Sequence, residues 1–162
     1  MENNIEKFNY YVGTIFGTLY SSFPCRENIE YLKIINCEEC PETWEHGIYT
    51  GIYVKDGTKQ YLANEINFLH ETLNWLYETE YLIGSVGLSA SGKYATVTLS
   101  PKALEILKVI PESIDEITSG KSIGDELSDA LGSAAKEKVI DLAKKALSYL
   151  FTIGWGSLNI TG

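Results

Sequence analysis

Residues 59–111 constrain the fold more than any other part of the chain, because three kinds of hydrophobic patterning follow one another there without a gap. Leu62, Ile66, Leu69, Leu73 and Leu76 recur every three or four residues, and Phe68, Thr72 and Trp75 broaden the same side, so a long helix is predicted over residues 59–79. The period then changes to two. Tyr81, Ile83, Val86 and Leu88 fit a first strand, residues 94–99 alternate as a second, and the small residues Ser89, Ala90, Ser91 and Gly92 supply the turn between them. Ser100 before Pro101 places an N-cap ahead of a proline at the first helical position. Ala103, Leu104, Leu107 and Val109 carry a short helix on to Pro111.

The flanks are helical at the outer ends and irregular between. Ile5, Phe8, Tyr11, Val12, Ile15, Phe16, Leu19 and Tyr20 form one broad apolar face of a first helix, which Pro24 stops. Residues 25–35 read as a short extended or helical piece. Residues 36–58 carry Cys37, Cys40 and Pro41, a Gly/Tyr-rich run, and the turn pair Asp56-Gly57, and read as an irregular acidic insertion with one short helix or strand. After a polar connector over residues 112–120, Ser122 caps a long helical pattern to about Phe151. Its apolar side holds Ile123, Leu127, Leu131, Ala135, Val139, Leu142, Ala146 and Leu150, and Gly124, Ser128 and Gly132 lie in or beside that stripe, where small residues permit close helix approach. This helix is expected to pack back on the first helix or to pair with a second subunit as a homodimer, with residues 154–162 as a short extended tail. The chain thus divides into residues 1–111 and a carboxy-terminal part, residues 112–162.

The wording WLYETEYLIG, ATVTL and SPKALEIL, in that order, resembles winged-helix domains, in which a helix runs into a hairpin wing and the next helix starts at a Ser/Thr-Pro/Ala-Lys turn. The resemblance covers about a third of the chain. It implies an α+β fold, mainly α, with a β-hairpin wing between an N-terminal helix and a long C-terminal helix. It does not fix function, because winged helices serve as DNA readers, dimerisation modules and protein adaptors.

Charge narrows that choice. The 22 acidic residues against 13 basic ones give a net charge of -9, which repels phosphate backbones and anionic lipids and favours basic partners. Arg26 is the sole arginine, the residue type that most often reads guanine or clamps phosphate. On the helix that would enter a groove stand Glu65, Glu71, Glu78 and Glu80, with Lys93 alone at the wing tip; Asn64, Asn67 and Asn74 could read adenine but have no phosphate contacts to hold their register. A transmembrane anchor has no span to support it, since residues 146–156 fall short of the roughly 20 needed. Met1 to Glu6 is polar and acidic, unlike a secretion signal, and a cytoplasmic location is expected.

Catalytic patterns are lacking. No Gly-rich loop precedes a Lys-Ser/Thr pair, no serine elbow is present, and His46 and His70 are the two histidines. Cys37 and Cys40 have zinc-like spacing, with Cys25 and His46 as conceivable further ligands, but a closed site normally includes a second pair. No cofactor or metal is therefore expected. The most suggestive surface is Glu38, Glu39, Glu42 and Glu45 interleaved with Trp44, Tyr49 and Tyr53. Its plainest reading is a solvated loop with half-buried rings, and its sharper one is a site where carboxylates steer a basic protein partner and the aromatic rings anchor it. Small acidic proteins that neutralise basic toxins, as immunity and antitoxin proteins do, use this physics. The alternatives are a winged-helix DNA-binding transcriptional regulator and a peripheral membrane protein.

Overall fold

The computed structural model describes residues 2–110 and 120–159, with side chains as far as Tyr149. Helix makes up 53% of the chain and strand 23%, so the expected mixed class with helix predominating holds. Helix α1 (Asn4–Ser22) begins at Asn3, whose side-chain oxygen accepts from the Glu6 N–H, and buries Val12, Ile15, Phe16 and Leu19 completely.

The segment after Pro24 is both extended and helical. Strand β1 (Glu27–Asn28) lies antiparallel to the second hairpin strand, and α2 (Tyr31–Ile35) follows. The hairpin itself matches the sequence reading. Strands β7 (Leu82–Ser89) and β8 (Gly92–Leu99) pair over their full length, and Ser100 accepts from the Ala103 N–H to start α4 (Pro101–Leu107). With β1 added, the sheet order is β1-β8-β7, and three strands give the hairpin the support that two rarely have.

Four expectations change. The insertion is built, not irregular: β2 (Glu38–Glu39), a 3-10 turn (Pro41–Thr43), β3 (Trp44–Glu45), β4 (Ile48–Tyr49), β5 (Ile52–Lys55) and β6 (Thr58–Tyr61) make a sheet of order β2-β5-β6 and a separate β3–β4 hairpin. The predicted long helix accordingly starts later, as α3 (Ala63–Glu78), because residues 58–61 pair with β5 instead. Asp56-Gly57, at φ 52° and 73°, supplies the two left-handed residues that a two-residue hairpin turn requires.

The carboxy-terminal helix is two helices, α5 (Ile123–Gly132) and α6 (Lys136–Asn159). Ser122 caps the first as expected, accepting from the Asp125 N–H. The break is a Schellman turn: Ala134 sits at φ 54°, its N–H reaching Leu131 O at 3.3 Å and that of Ala135 reaching Ala130 O at 2.9 Å. The same pair of bonds ends α3 at Glu80 (φ 64°). A side chain in this conformation is strained, by about 1 kcal/mol, where glycine is not. Ala134→Gly and Glu80→Gly are each expected to raise stability by about 0.5–1 kcal/mol in urea unfolding; a lower midpoint in either would contradict the left-handed geometry. Residues 154–159 continue α6 and form no extended piece, whereas residues 111–119, which hold all of the connector but Gly120, and residues 160–162 lie outside the described residues.

As far as Tyr149, the apolar sides of α5 and α6 are covered within the chain, chiefly against α1. The contact is close because α1 carries Gly13 opposite Val139 and Gly17 opposite Leu127 and Leu131, while Gly124 of α5 lies under the Tyr20 ring. Ser128 donates to Gly17 O at 3.3 Å. Gly132, in contrast, has no neighbour within 4 Å of its would-be side chain. None of the described helices is long and apolar enough to cross a membrane.

Candidate partner-binding cleft

The acidic lobe is held together by polar side chains turned inward. Thr43 is fully buried; its hydroxyl donates to Ile52 O at 2.5 Å and accepts from the Cys40 N–H at 2.9 Å. Thr50 spans the base of the β3–β4 hairpin, its hydroxyl donating to Glu42 O at 2.6 Å. The turn of that hairpin is His46-Gly47, at φ 51° and 79°, again the left-handed pair of a two-residue turn. In this register Trp44 stands directly across from Tyr49, and cross-strand aromatic pairs of this kind stabilise a hairpin.

Their rings are 5.3 Å apart at 51°, and Tyr49 in turn meets Tyr53 edge-on at 6.3 Å. Trp44 is 47% exposed, Tyr49 42% and Ile48 69%, whereas Tyr53 is buried at 5%. Tyr53 is thus the floor of the aromatic group rather than an anchor at its surface. Its hydroxyl donates to that of Tyr49 at 3.3 Å. Burial, that hydrogen bond and nearby negative charge, Glu39 included, push the Tyr53 phenol above its usual range.

The carboxylates take different places. Glu42 forms an ion pair with Lys59 at 2.5 Å, and that lysine, through its hydrogen bond, lowers the Glu42 pKa. Glu38, Glu39 and Glu45 are exposed and have no ion-pair partner among the described residues. Glu39 lines a cleft of about 340 Å³ together with Trp44, Tyr49 and Tyr53; Glu38 borders a separate depression beside Asn36 and Asp56. Glu45 lies on β3, outside the cleft.

The rest of the cleft comes from residues that the sequence does not mark for a protein partner. The hairpin tip contributes Leu88, 72% exposed, and Lys93; α2 and α3 contribute Tyr31 and Ile66. A leucine at a turn was the visible signal for the tip, but that the tip closes over the lobe depends on tertiary placement. Below Tyr31 lies His70, buried at 5%, with its Nδ1 2.7 Å from the Tyr31 hydroxyl. Burial first, then the charge of Lys93, lowers the His70 pKa, so the ring is neutral and structural at physiological pH.

The outer row of α3 is Asn64, Asn67, Glu71, Asn74 and Glu78, and it contains no cation. Glu65 does not belong to it. Its carboxylate takes Lys7 at 2.8 Å and the Tyr11 hydroxyl, and although burial opposes ionisation these two bonds hold its pKa below the usual value. Cys37 is buried, Cys40 half-buried and Cys25 exposed, all as free thiols, and burial raises the Cys37 pKa against the pull of Lys55. Among the described residues no three histidine, cysteine or acidic side chains come together as a metal site.

Compared with protein-family models, with curated proteins and with solved structures, the chain matches none.

Proposed function

We propose that this protein is a non-enzymatic protein-binding module on a winged-helix frame, whose acidic and aromatic lobe captures a basic protein partner, blocking it or assembling with it as immunity and antitoxin proteins do. The frame is supported by the succession α3, the β7–β8 hairpin and the Ser100-capped α4, with the lobe inserted between α2 and α3. The observation that carries the partner class is the coexistence, on one lobe, of the exposed apolar side chains Trp44, Ile48 and Tyr49 with the carboxylates of Glu38, Glu39 and Glu45, which have no ion-pair partner among the described residues. Exposed rings supply contact area at low entropic cost, and carboxylates around them accelerate encounter with a cationic surface. The cation-free outer row of α3 supports a protein partner over a duplex, because bases cannot be read without phosphate contacts to fix the register.

A decalysine peptide and a mixed-sequence DNA duplex, titrated at low salt, separate the readings. The peptide is expected to bind, more weakly as salt rises, and the triple variant Glu38→Lys, Glu39→Lys, Glu45→Lys to lose at least tenfold in affinity. Glu42 is left unchanged because its charge is already matched by Lys59. Duplex binding that falls steeply with salt, with no peptide binding, would favour the regulator instead.

A further inference from the structure

The cleft between lobe and hairpin tip has the make-up of a receptor for one cationic side chain. We infer that it takes a single lysine-type ammonium of the partner, with the ring faces of Trp44 and Tyr49 against the ammonium and its adjoining methylenes, buried Tyr53 beneath them, and the Glu39 carboxylate against the charge. This deepens the proposed function and rests on it for the source of the lysine, though not for the chemistry of the pocket.

Three observations support the inference. First, the rings are not parallel: 51° separates Trp44 from Tyr49 and 63° separates Tyr49 from Tyr53, so they make facets of a corner rather than a slot. A slot between parallel planes suits the flat guanidinium of arginine, whereas a corner of ring faces suits a compact ammonium attracted by their negative quadrupoles. Second, the rings are fixed in place. Tyr53 is buried and hydrogen-bonded to Tyr49, and the Trp44–Tyr49 pair is set by the β3–β4 register, so little side-chain entropy is lost on binding. Third, the charge at the rim is unspent, since Glu39 has no cationic partner among the described residues. At about 340 Å³ the cleft is at the small end of the roughly 300–1,000 Å³ range of ligand sites, in keeping with one side chain rather than a folded segment.

Lys93 also lines the cleft, from the hairpin side. Its like charge keeps an incoming ammonium to the Glu39 side of the cleft. Leu88, at 72% exposure, is placed to cover the stem from above.

The test uses the full chain and blocked pentapeptides, acetyl-Ala-Ala-X-Ala-Ala-amide, with X as lysine, trimethyl-lysine, arginine or norleucine. The reporter is the NMR signal of the Trp44 indole N–H, assigned by its loss in Trp44→Phe, with affinities from ligand-observed titration. The lysine and trimethyl-lysine peptides are expected to move that signal saturably, and the norleucine peptide to leave it in place. Trp44→Leu is expected to weaken lysine-peptide binding at least fivefold and Glu39→Gln about threefold. Both side chains are at the surface, and unchanged thermal unfolding of each variant will show that the fold is kept. Equal binding of norleucine would make the cleft merely apolar and overturn the inference, as would tighter binding of arginine or an affinity indifferent to both substitutions. Failure here leaves decalysine capture by the wild type intact and so spares the broader reading; loss of decalysine capture with lysine-peptide binding preserved would refute the broader reading and keep the pocket.

Discussion

Gly13→Val is expected to destabilise the protein by about 3 kcal/mol, although the position is helical and valine is the better helix former. The reason is the distance between α1 and α6. A Cβ at Gly13 would lie 2.6 Å from Val139 Cγ1, which can rotate, but also 2.8 Å from the Val139 carbonyl oxygen, which cannot move unless α6 moves. Two further methyl groups deepen the clash, and the neighbouring contact of Gly17 with Leu127 and Leu131 would open with it. Urea unfolding followed by both circular dichroism and tryptophan fluorescence will show whether the loss is shared by the whole fold or appears as an early transition of α5 and α6 alone. Gly132→Ala is the control, since nothing lies within 4 Å of the added carbon, and should change stability by less than about 1 kcal/mol. A Gly13→Val midpoint equal to that of the wild type would mean that α6 is not seated as described.

Gly84→Ala is expected to cost a similar amount, about 3 kcal/mol, from a single methyl group on a half-exposed strand. Gly84 pairs with Val97 at φ 135°, a conformation that side chains rarely adopt, and a Cβ there would sit 2.2 Å from the Thr96 carbonyl oxygen and 2.9 Å from Val97 Cα. Both obstacles are backbone atoms of the paired strand, so the pairing itself must give way. Amide exchange should therefore accelerate at β8 first, and through β8 at β1. Gly87→Ala provides the contrast, because its nearest neighbour is the hydroxyl end of Tyr94 at 3.2 Å, which can swing aside. If the two substitutions cost the same, the strain assigned to Gly84 is absent. Because the hairpin tip forms one wall of the cleft, Gly84→Ala should also weaken whatever binds there.

The readable parts of the fold were those whose signals are local. Leucines at helical spacing gave α3, alternation gave β7 and β8, and Ser100-Pro101 and Ser122 marked helix starts that the structure caps at those residues. Strands of two residues, such as β1 and β2, have no period to detect; pairing with distant partners creates them. The break between α5 and α6 leaves no mark in the sequence for a related reason, since the apolar stripe continues across it and an alanine, not a glycine, occupies the left-handed position. The start of α3 lies later than the stripe implies because Leu62 fits a helical stripe equally well when it precedes the helix as a buried cap residue.

The candidate site divides in the same way. Glu38, Glu39, Glu42, Trp44, Glu45, Tyr49 and Tyr53 are close in sequence, and the turn pairs His46-Gly47 and Asp56-Gly57, together with the pairing of β2 on β5, gather them into one lobe. Sequence alone determined that this lobe is acidic and aromatic, that the chain is short of arginine, and that a helix, a hairpin and a capped helix follow one another. Tertiary structure decided which of those side chains are free to act: it buried Tyr53, matched Glu42 with Lys59 and Glu65 with Lys7, and brought Leu88 and Lys93 from the hairpin to face Glu39, Trp44 and Tyr49. Charge and ring content are properties of residues and can be read from a list, whereas exposure, pairing and enclosure are properties of neighbours, and the chain acquires its neighbours only by folding.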